Sequence, residues 1–249
     1  MPDIVHLAVA DGVAAITLDS QHNRNALSRQ LVSELSEALS AAEADSSAQV
    51  VVLRAEGPTF CAGADLSEAL ADGMAEGTRA VVALLRQIVA LDKPVVGRVH
   101  GAVRAGGIGL VAACDVAVAD AESTFALTEA RLGLTAATIS LTVLPRMTSR
   151  AASWTFLSGA TFDGGAAAQM GLVTTAVPAD RLDGEVAATV AGVATGAPQG
   201  LRETKRLLNA GLVADIDARG EELAALSARL FGSDEARAAM AAFLQRRGP

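Results

Sequence analysis

The 249-residue chain has no tyrosine, one tryptophan and six phenylalanines. So few aromatic rings leave little on which nucleic-acid bases could stack. There is no run of lysine or arginine either, and 20 basic residues face 28 acidic ones for a net charge of -8. Nucleic acid and anionic membrane are therefore poor partners, whereas a small anionic ligand needs only a few local cations and some backbone amides. Cysteine is limited to Cys61 and Cys114, each in small apolar surroundings. They read as two buried thiols of a reducing compartment, not as a disulfide or a nucleophile. Neither stands at ligand spacing from a histidine, so no metal site is expected. A G-x-S-x-G elbow is absent, which leaves acyl-enzyme hydrolysis without a serine. No apolar run reaches the ~18 residues of a membrane span. The first residues, MPDIVHLAVADGVAAITLD, alternate apolar and polar positions and carry early acids, unlike a signal or transit peptide. A cytoplasmic location is expected.

What is there is a chain 51% hydrophobic, with a mean hydropathy of +0.36. That is enough for one large core, or one core and a small appendage. Ile4–Val9 and Val13–Leu18 predict a hairpin about Asp11-Gly12. Leu27, Leu31, Leu35 and Leu39 mark one face of a helix, and Val81, Leu84, Leu85, Ile88 and Leu91 mark another. Val50–Leu53, Pro94–Val99 and Asp115–Ala119 read as buried strands. The stretch EGPTFCAGADL between them reads as a loop, and Ala71–Gly77 as a flexible excursion or lid. Strand, helix and strand in alternation predict α/β architecture with crossover connections. From about Arg181 only helices are expected: Arg181–Ala194, Gln199–Ala210, Asp215–Leu230 and Asp234–Arg247. Leu201, Leu207, Leu208 and Leu212 supply one apolar face of this region.

The stretch AVRAGGIGLVAACD, from Ala102 to Asp115, opens a helix with Gly106, Gly107 and Gly109 and no acid or base. Gly107-x-Gly109-x-x-Ala112 fits a dinucleotide fingerprint, with Glu129 20 residues beyond Gly109. However, Glu129 lies in FALTEARLGL, which reads as the start of a helix and not the end of a second parallel strand. Close packing of helix on sheet would explain Gly107 alone. It does not explain a second small-residue loop, Cys61-Ala62-Gly63-Ala64-Asp65, also between a strand and a helical segment. Two loops of bare backbone N–H groups suggest two donors converging on one oxygen, as for an enolate forming on a thioester.

The succession GPTFCAGADL, KPVVGRVHGAVRAGGIGLVAACDVAVAD and STFALTEARLGL resembles the crotonase family, the enoyl-CoA hydratase/isomerase superfamily. The likeness runs from NRNALS near the start, through GATFDGGAAAQMGLVTTAVP, to AAFLQRR at the end. It implies a crotonase-like spiral of ββα units over residues 1–195 holding the acyl-CoA site. Residues 196–249 would form a C-terminal helical oligomerisation region, making a homotrimer or a dimer of trimers. Carried onto this sequence, the resemblance gives the oxyanion-hole amides to Ala62 and Gly106. Coenzyme A would be bound along Arg24, Ala26, Ala62, Gly63, Ala64, Asp65, Leu66 and Gly106, with Asn25 and Leu27 in the same stretch. It arrives as part of the substrate, and no separate cofactor is implied. Phe243, Arg246 and Arg247 match a tail that reaches coenzyme A on a neighbouring subunit, although plain surface charge explains the arginines equally well.

Hydratases of this family hold a water between two glutamates. The first position is Gly109 here, and the second is Glu129. Glu129 alone could serve as acid/base, with a pKa raised by burial among Phe125, Leu127 and Leu134. TAATIS (Thr135–Ser140) replaces the usual PGAGG and alters the acyl-pocket wall, a pattern similar to methylglutaconyl-type hydratases. Glu68, Asp72 or Glu76 could replace the missing acid, but solvated loop charge suits them better. Among the histidines, His6, His22 and His100, only His100 is expected near the site, in a structural role. The resemblance thus implies hydration of a 2-enoyl-CoA. The alternatives are a Δ3–Δ2 enoyl-CoA isomerase, a non-catalytic acyl-CoA binding protein and, last, a dinucleotide enzyme.

Overall fold

The computed structural model describes residues 3–246. The N-terminal hairpin forms as its alternation predicts, from β1 (Val5–Ala10) and β2 (Val13–Leu18). Asp11 and Gly12 both take positive φ, the geometry that a two-residue hairpin turn demands. Helix α1 (Arg29–Ala44) follows, with the Ser28 hydroxyl accepting the Leu31 N–H at 3.3 Å as its cap. Its Leu31, Leu35 and Leu39 are fully buried, while Leu27 stands just before the helix.

The chain then lays down strands in pairs. β3 (Val50–Ala55) joins one sheet and β4 (Thr59–Cys61) another, before α2 (Leu66–Asp72) and α3 (Ala75–Ala90). β5 (Val95–Val99) and β6 (Ala102–Arg104) repeat the step before α4 (Gly106–Ala113). β7 (Val116–Asp120) and β8 (Thr124–Ala126) repeat it again, before a 3-10 turn (Glu129–Leu132), α5 (Ala137–Val143) and α6 (Ser149–Ser158). β9 (Phe162–Asp163), α7 (Gly164–Gln169) and β10 (Thr175–Val177) close the strand region. The six-stranded sheet has the order β1-β2-β3-β5-β7-β10, parallel from β2 onward, and the four-stranded sheet runs β4-β6-β8-β9. Each turn of the spiral gives one strand to each sheet and then a helix, so the expected ββα architecture is present.

Three expectations need correction. The stretch read as a loop contains β4, whose three residues are too few to show a period. The expected excursion at Ala71–Gly77 is only a break at Gly73 and Met74 between two helices. The helices expected over Gln199–Ala210 and Asp215–Leu230 are one, α9 (Pro198–Phe231), after α8 (Leu182–Ala194). An internal glycine costs a helix about 1 kcal/mol, but tertiary packing carries α9 through Gly211. Ile216 and Ala224 are buried in the main core, and a methyl group at Gly220 would meet Val82 Cγ1 at 2.8 Å. Finally α10 (Asp234–Arg246) folds back, so that Ala236 and Met240 pack on Leu134 in a small separate cluster. No helix among the described residues is long and apolar enough to cross a membrane.

Candidate active site

The C-terminal ends of β4 and β6 each lead into a small-residue loop, and the two loops meet. Gly63 has φ +88°, and a methyl group there would lie 2.8 Å from Ala105 Cβ. A methyl group at Gly106 would lie 2.5 Å from Leu27 Cδ1 and 3.8 Å from Gly63 Cα. Only bare backbone fits at this junction. Ala105, the residue before α4, is itself held at φ +47°, ψ -116°. Such strain costs of order 1–3 kcal/mol and persists where surrounding structure enforces it.

A third segment braces the first loop. Arg24 and Asn25 are both left-handed, with φ +59° and +54°. The buried Asn25 side chain accepts the Ser20 N–H at 2.6 Å and donates to the Thr59 and Glu56 carbonyls at 2.8 and 3.1 Å. Arg24 and Leu27 then pair with the loop after β4. The Ala62 N–H donates to the Arg24 carbonyl at 3.1 Å, and the Leu27 N–H donates to the Gly63 carbonyl at 2.8 Å.

This corrects the expected donor pair. The Ala62 N–H is already spent on Arg24, whereas Ala64, two residues on, has no partner for its N–H among the described residues. The Gly106 N–H, first in α4, is likewise free among them. Ala64 and Gly106 both line one cavity of about 380 Å³, together with Ala62, Arg24, Ala26, Asp65 and Leu66. Gly63 lies between two lining residues. Asp65 caps α2 by accepting the Ser67 and Glu68 N–H groups at 3.0 and 3.3 Å, and its other oxygen accepts from Asn23 at 3.1 Å.

Glu129 lines the same cavity at the start of the 3-10 turn after β8. Its Oε2 is sealed from solvent and has no hydrogen-bond partner among the described residues. Burial pushes the carboxyl up to about 7, with the residue's own backbone N–H pulling the other way. A second carboxylate at position 109 would have to displace α5. A methyl group there would meet Ile139 Cγ2 at 2.5 Å, and the Thr142 hydroxyl ties α5 to the Gly109 carbonyl at 3.1 Å. Of the lid acids, Glu68 accepts the Arg29 N–H at 3.0 Å and faces, like Glu76, a separate groove between α1 and α3. The side chain of Asp72 lies outside the described residues. Glu129 is thus the uncommitted carboxylate among the described lining residues.

Other expectations fare differently. His100 is away from the cavity, between the Gly57 carbonyl at 2.7 Å and Arg98 at 3.0 Å, whereas His22 lines it. Phe243 lines the cavity of its own chain, where α10 folds back over the 3-10 turn. The side chain of Arg246 and the whole of Arg247 lie outside the described residues. The fingerprint glycines Gly107 and Gly109 are buried in packing, Gly107 against Cys61, so they cannot cradle a pyrophosphate. Both thiols are unpaired, buried and pushed up to about 12 by that burial. Sequence reasoning missed Ser227 and Phe231, lining residues that α9 brings from far along the chain. No local pattern marks them.

Comparison with known proteins agrees with this architecture. The family model described as enoyl-CoA hydratase/isomerase matches residues 8–249. An enoyl-CoA hydratase crystal structure from Mycobacterium avium superposes with a TM-score of 0.91, at 47% identity over 100% of this chain and 99% of that one. A Rhodobacter capsulatus protein named "Probable enoyl-CoA hydratase" is 31% identical, covering 98% of this chain and 96% of its own. The hydroxycinnamoyl-CoA hydratase-lyase of Pseudomonas fluorescens is 32% identical over 72% of this chain and 68% of its own. With the spiral of paired strands and the two meeting glycine loops, these matches show that the chain belongs to the enoyl-CoA hydratase/isomerase (crotonase) family of enzymes.

Proposed function

We propose that the protein adds water to a 2-enoyl-CoA thioester, with Glu129 as the sole acid/base. The observation that carries this reading is the unpartnered, sealed Oε2 of Glu129 in the cavity that the free Ala64 and Gly106 amides also line. The thioester oxygen accepts from those two amides, which stabilise the charge it gains as the double bond is attacked. Glu129 takes a proton from water as the water oxygen bonds to C3. The electron pair of the double bond moves through C2 to form the enolate. Glu129 then returns its proton to C2, which balances the addition. The chemistry draws on no cofactor beyond the coenzyme A of the substrate.

Isomerisation is the second reading, favoured by Ile139 in the place of a second acid. There Glu129 moves a proton from C2 to C4 of a 3-enoyl-CoA. One absorbance assay separates the two. Hydration removes the conjugated enoyl-thioester band, and isomerisation creates it. Neither change across a range of esters, with binding retained, would leave an acyl-CoA binding protein.

The assembly we infer is a homotrimer or a pair of trimers, in the cytoplasm. Its support is the exposure of Trp154 and Leu157 on α6 and of Leu207 and Leu208 on α9, large apolar groups that a partner would cover. The location fits two free thiols.

A further inference from the structure

The wall that α3, α5 and α9 give to the cavity is not uniformly apolar. Ser227 on α9 is only 5% exposed, and Thr138 precedes Ile139 on α5, the helix packed against α9. Buried hydroxyls on helices usually bond a carbonyl one turn back. Thr142 does so with Ile139 at 3.3 Å, Thr155 with Ala151 at 2.8 Å, and Thr78, on the same wall, with Ala75 at 3.2 Å. Ser227 and Thr138 have no such partner among the described residues, and their oxygens stay accessible where Glu129 Oε2 is sealed. Two open hydroxyls on a nearly buried wall lose hydrogen bonds unless a ligand or water supplies them.

We propose that Ser227 and Thr138 form a subsite for an uncharged oxygen on the acyl chain, so that the preferred substrate is an enoyl-CoA bearing a hydroxyl or carbonyl group. This rests on the enoyl-CoA reading above. A Ser or Thr hydroxyl can donate to a carbonyl or accept from a hydroxyl, so it suits either group. A carboxylate is a poorer fit. The residues that α3, α5 and α9 contribute to the lining are all uncharged, the cationic lining residues Arg24 and Arg104 come from other segments, and the cavity already holds Glu129. That counts against the carboxylated, methylglutaconyl-type acyl group which the sequence pattern suggests.

The test uses three 2-enoyl-CoA esters of matched length, ending in a methyl group, a neutral oxygen group and a carboxylate. kcat/KM is measured for each, and calorimetry gives Kd for the saturated counterparts. The wild type should favour the neutral oxygen over the methyl end by about tenfold, the effect of one or two neutral hydrogen bonds. Ser227→Ala and Thr138→Val, each nearly the same size as the original, should erase that preference, with the oxygenated ester falling to the level of the methyl-ended one. Equal or weaker handling of the oxygenated ester, a preference for the carboxylate, or a preference that survives in the double variant would overturn the subsite. If the saturated esters show the preference but nothing is turned over, the hydration reading fails and the subsite stands. Turnover of all three without preference gives the reverse, and no binding of any ester overturns both.

Discussion

Glu129, to which the proposed hydration assigns the acid/base role, is a carboxylate that burial makes costly to ionise. As the base that takes a proton from water it must be charged, so kcat/KM should rise with pH and level off above about 7, following its raised pKa. Glu129→Gln should lower turnover by about 10²- to 10⁴-fold with little change in the Kd of a saturated acyl-CoA. A flat acid limb in the wild type would contradict the assignment. The same residue leaves a mark on stability. Below about pH 4.5 the carboxyl is protonated both folded and unfolded. Between there and about 7 the folded chain holds the extra proton, so stability falls as pH rises. The full cost, about 3 kcal/mol for a shift of this size, is present above pH 7. Glu129→Gln should therefore raise Tm at pH 8 and leave it nearly unchanged at pH 4, as thermal melts at the two values would show. That this residue lines the candidate site was legible from the spacing of its motif. Which lining amide is free among the described residues was not, since Ala62 and Ala64 differ in whether the Arg24 carbonyl bonds them.

At the scale of elements, α4 and α5 decide why one acid is missing. Gly109 lets α5 lie against α4, and Ile139 fills the space. Gly109→Ala should destabilise the fold by about 1–3 kcal/mol, as overpacking does. Ile139→Ala in the same chain should recover part of that loss, a coupling that a double-mutant cycle in urea would measure. Additive effects would show that α5 has shifted freely. Long elements with strong apolar periods, such as α1, α3 and the hairpin, were legible from sequence. Short ones were not, because β4 and β6 have three residues each and owe their existence to one another. The continuity of α9 was obscured by Gly211 and is set by the surface of α3 beneath it.

Across the whole molecule, α9 is joined to the sheet by a buried ion pair. Lys205 meets Asp115 at 2.7 Å and donates to the Ile88 and Lys93 carbonyls at 3.0 and 2.9 Å. Asn209, one turn on, donates to Asp115 and to the Val89 carbonyl. Burial lowers the Lys205 pKa, and Asp115 opposes that shift. Removing Lys205 leaves a half-buried Asp115 that keeps only its Asn209 and Val95 N–H donors among the described residues, and two carbonyls without their lysine. Lys205→Met should therefore cost about 1–3 kcal/mol in denaturant titration. Since α9 also carries Ser227 and Phe231, the variant should weaken acyl-CoA binding as well. The assembly is testable at this scale too: Trp154→Glu should reduce the mass in solution below that of the wild type if α6 lies in an interface.

The sequence by itself determined the fold, the glycine loops and the place of the carboxylate proposed as acid/base, because these depend on local periods and on motifs read in order. Only the tertiary structure decided which backbone amide is free, what fills the space beside Gly109, and which hydroxyls line the cavity. Each of those depends on segments far apart in the chain, such as Arg24 with Ala62 and Gly109 with Ile139, or Thr138 and Ser227 on the lining of one cavity. Folding brings these residues together, and no spacing along the sequence records it.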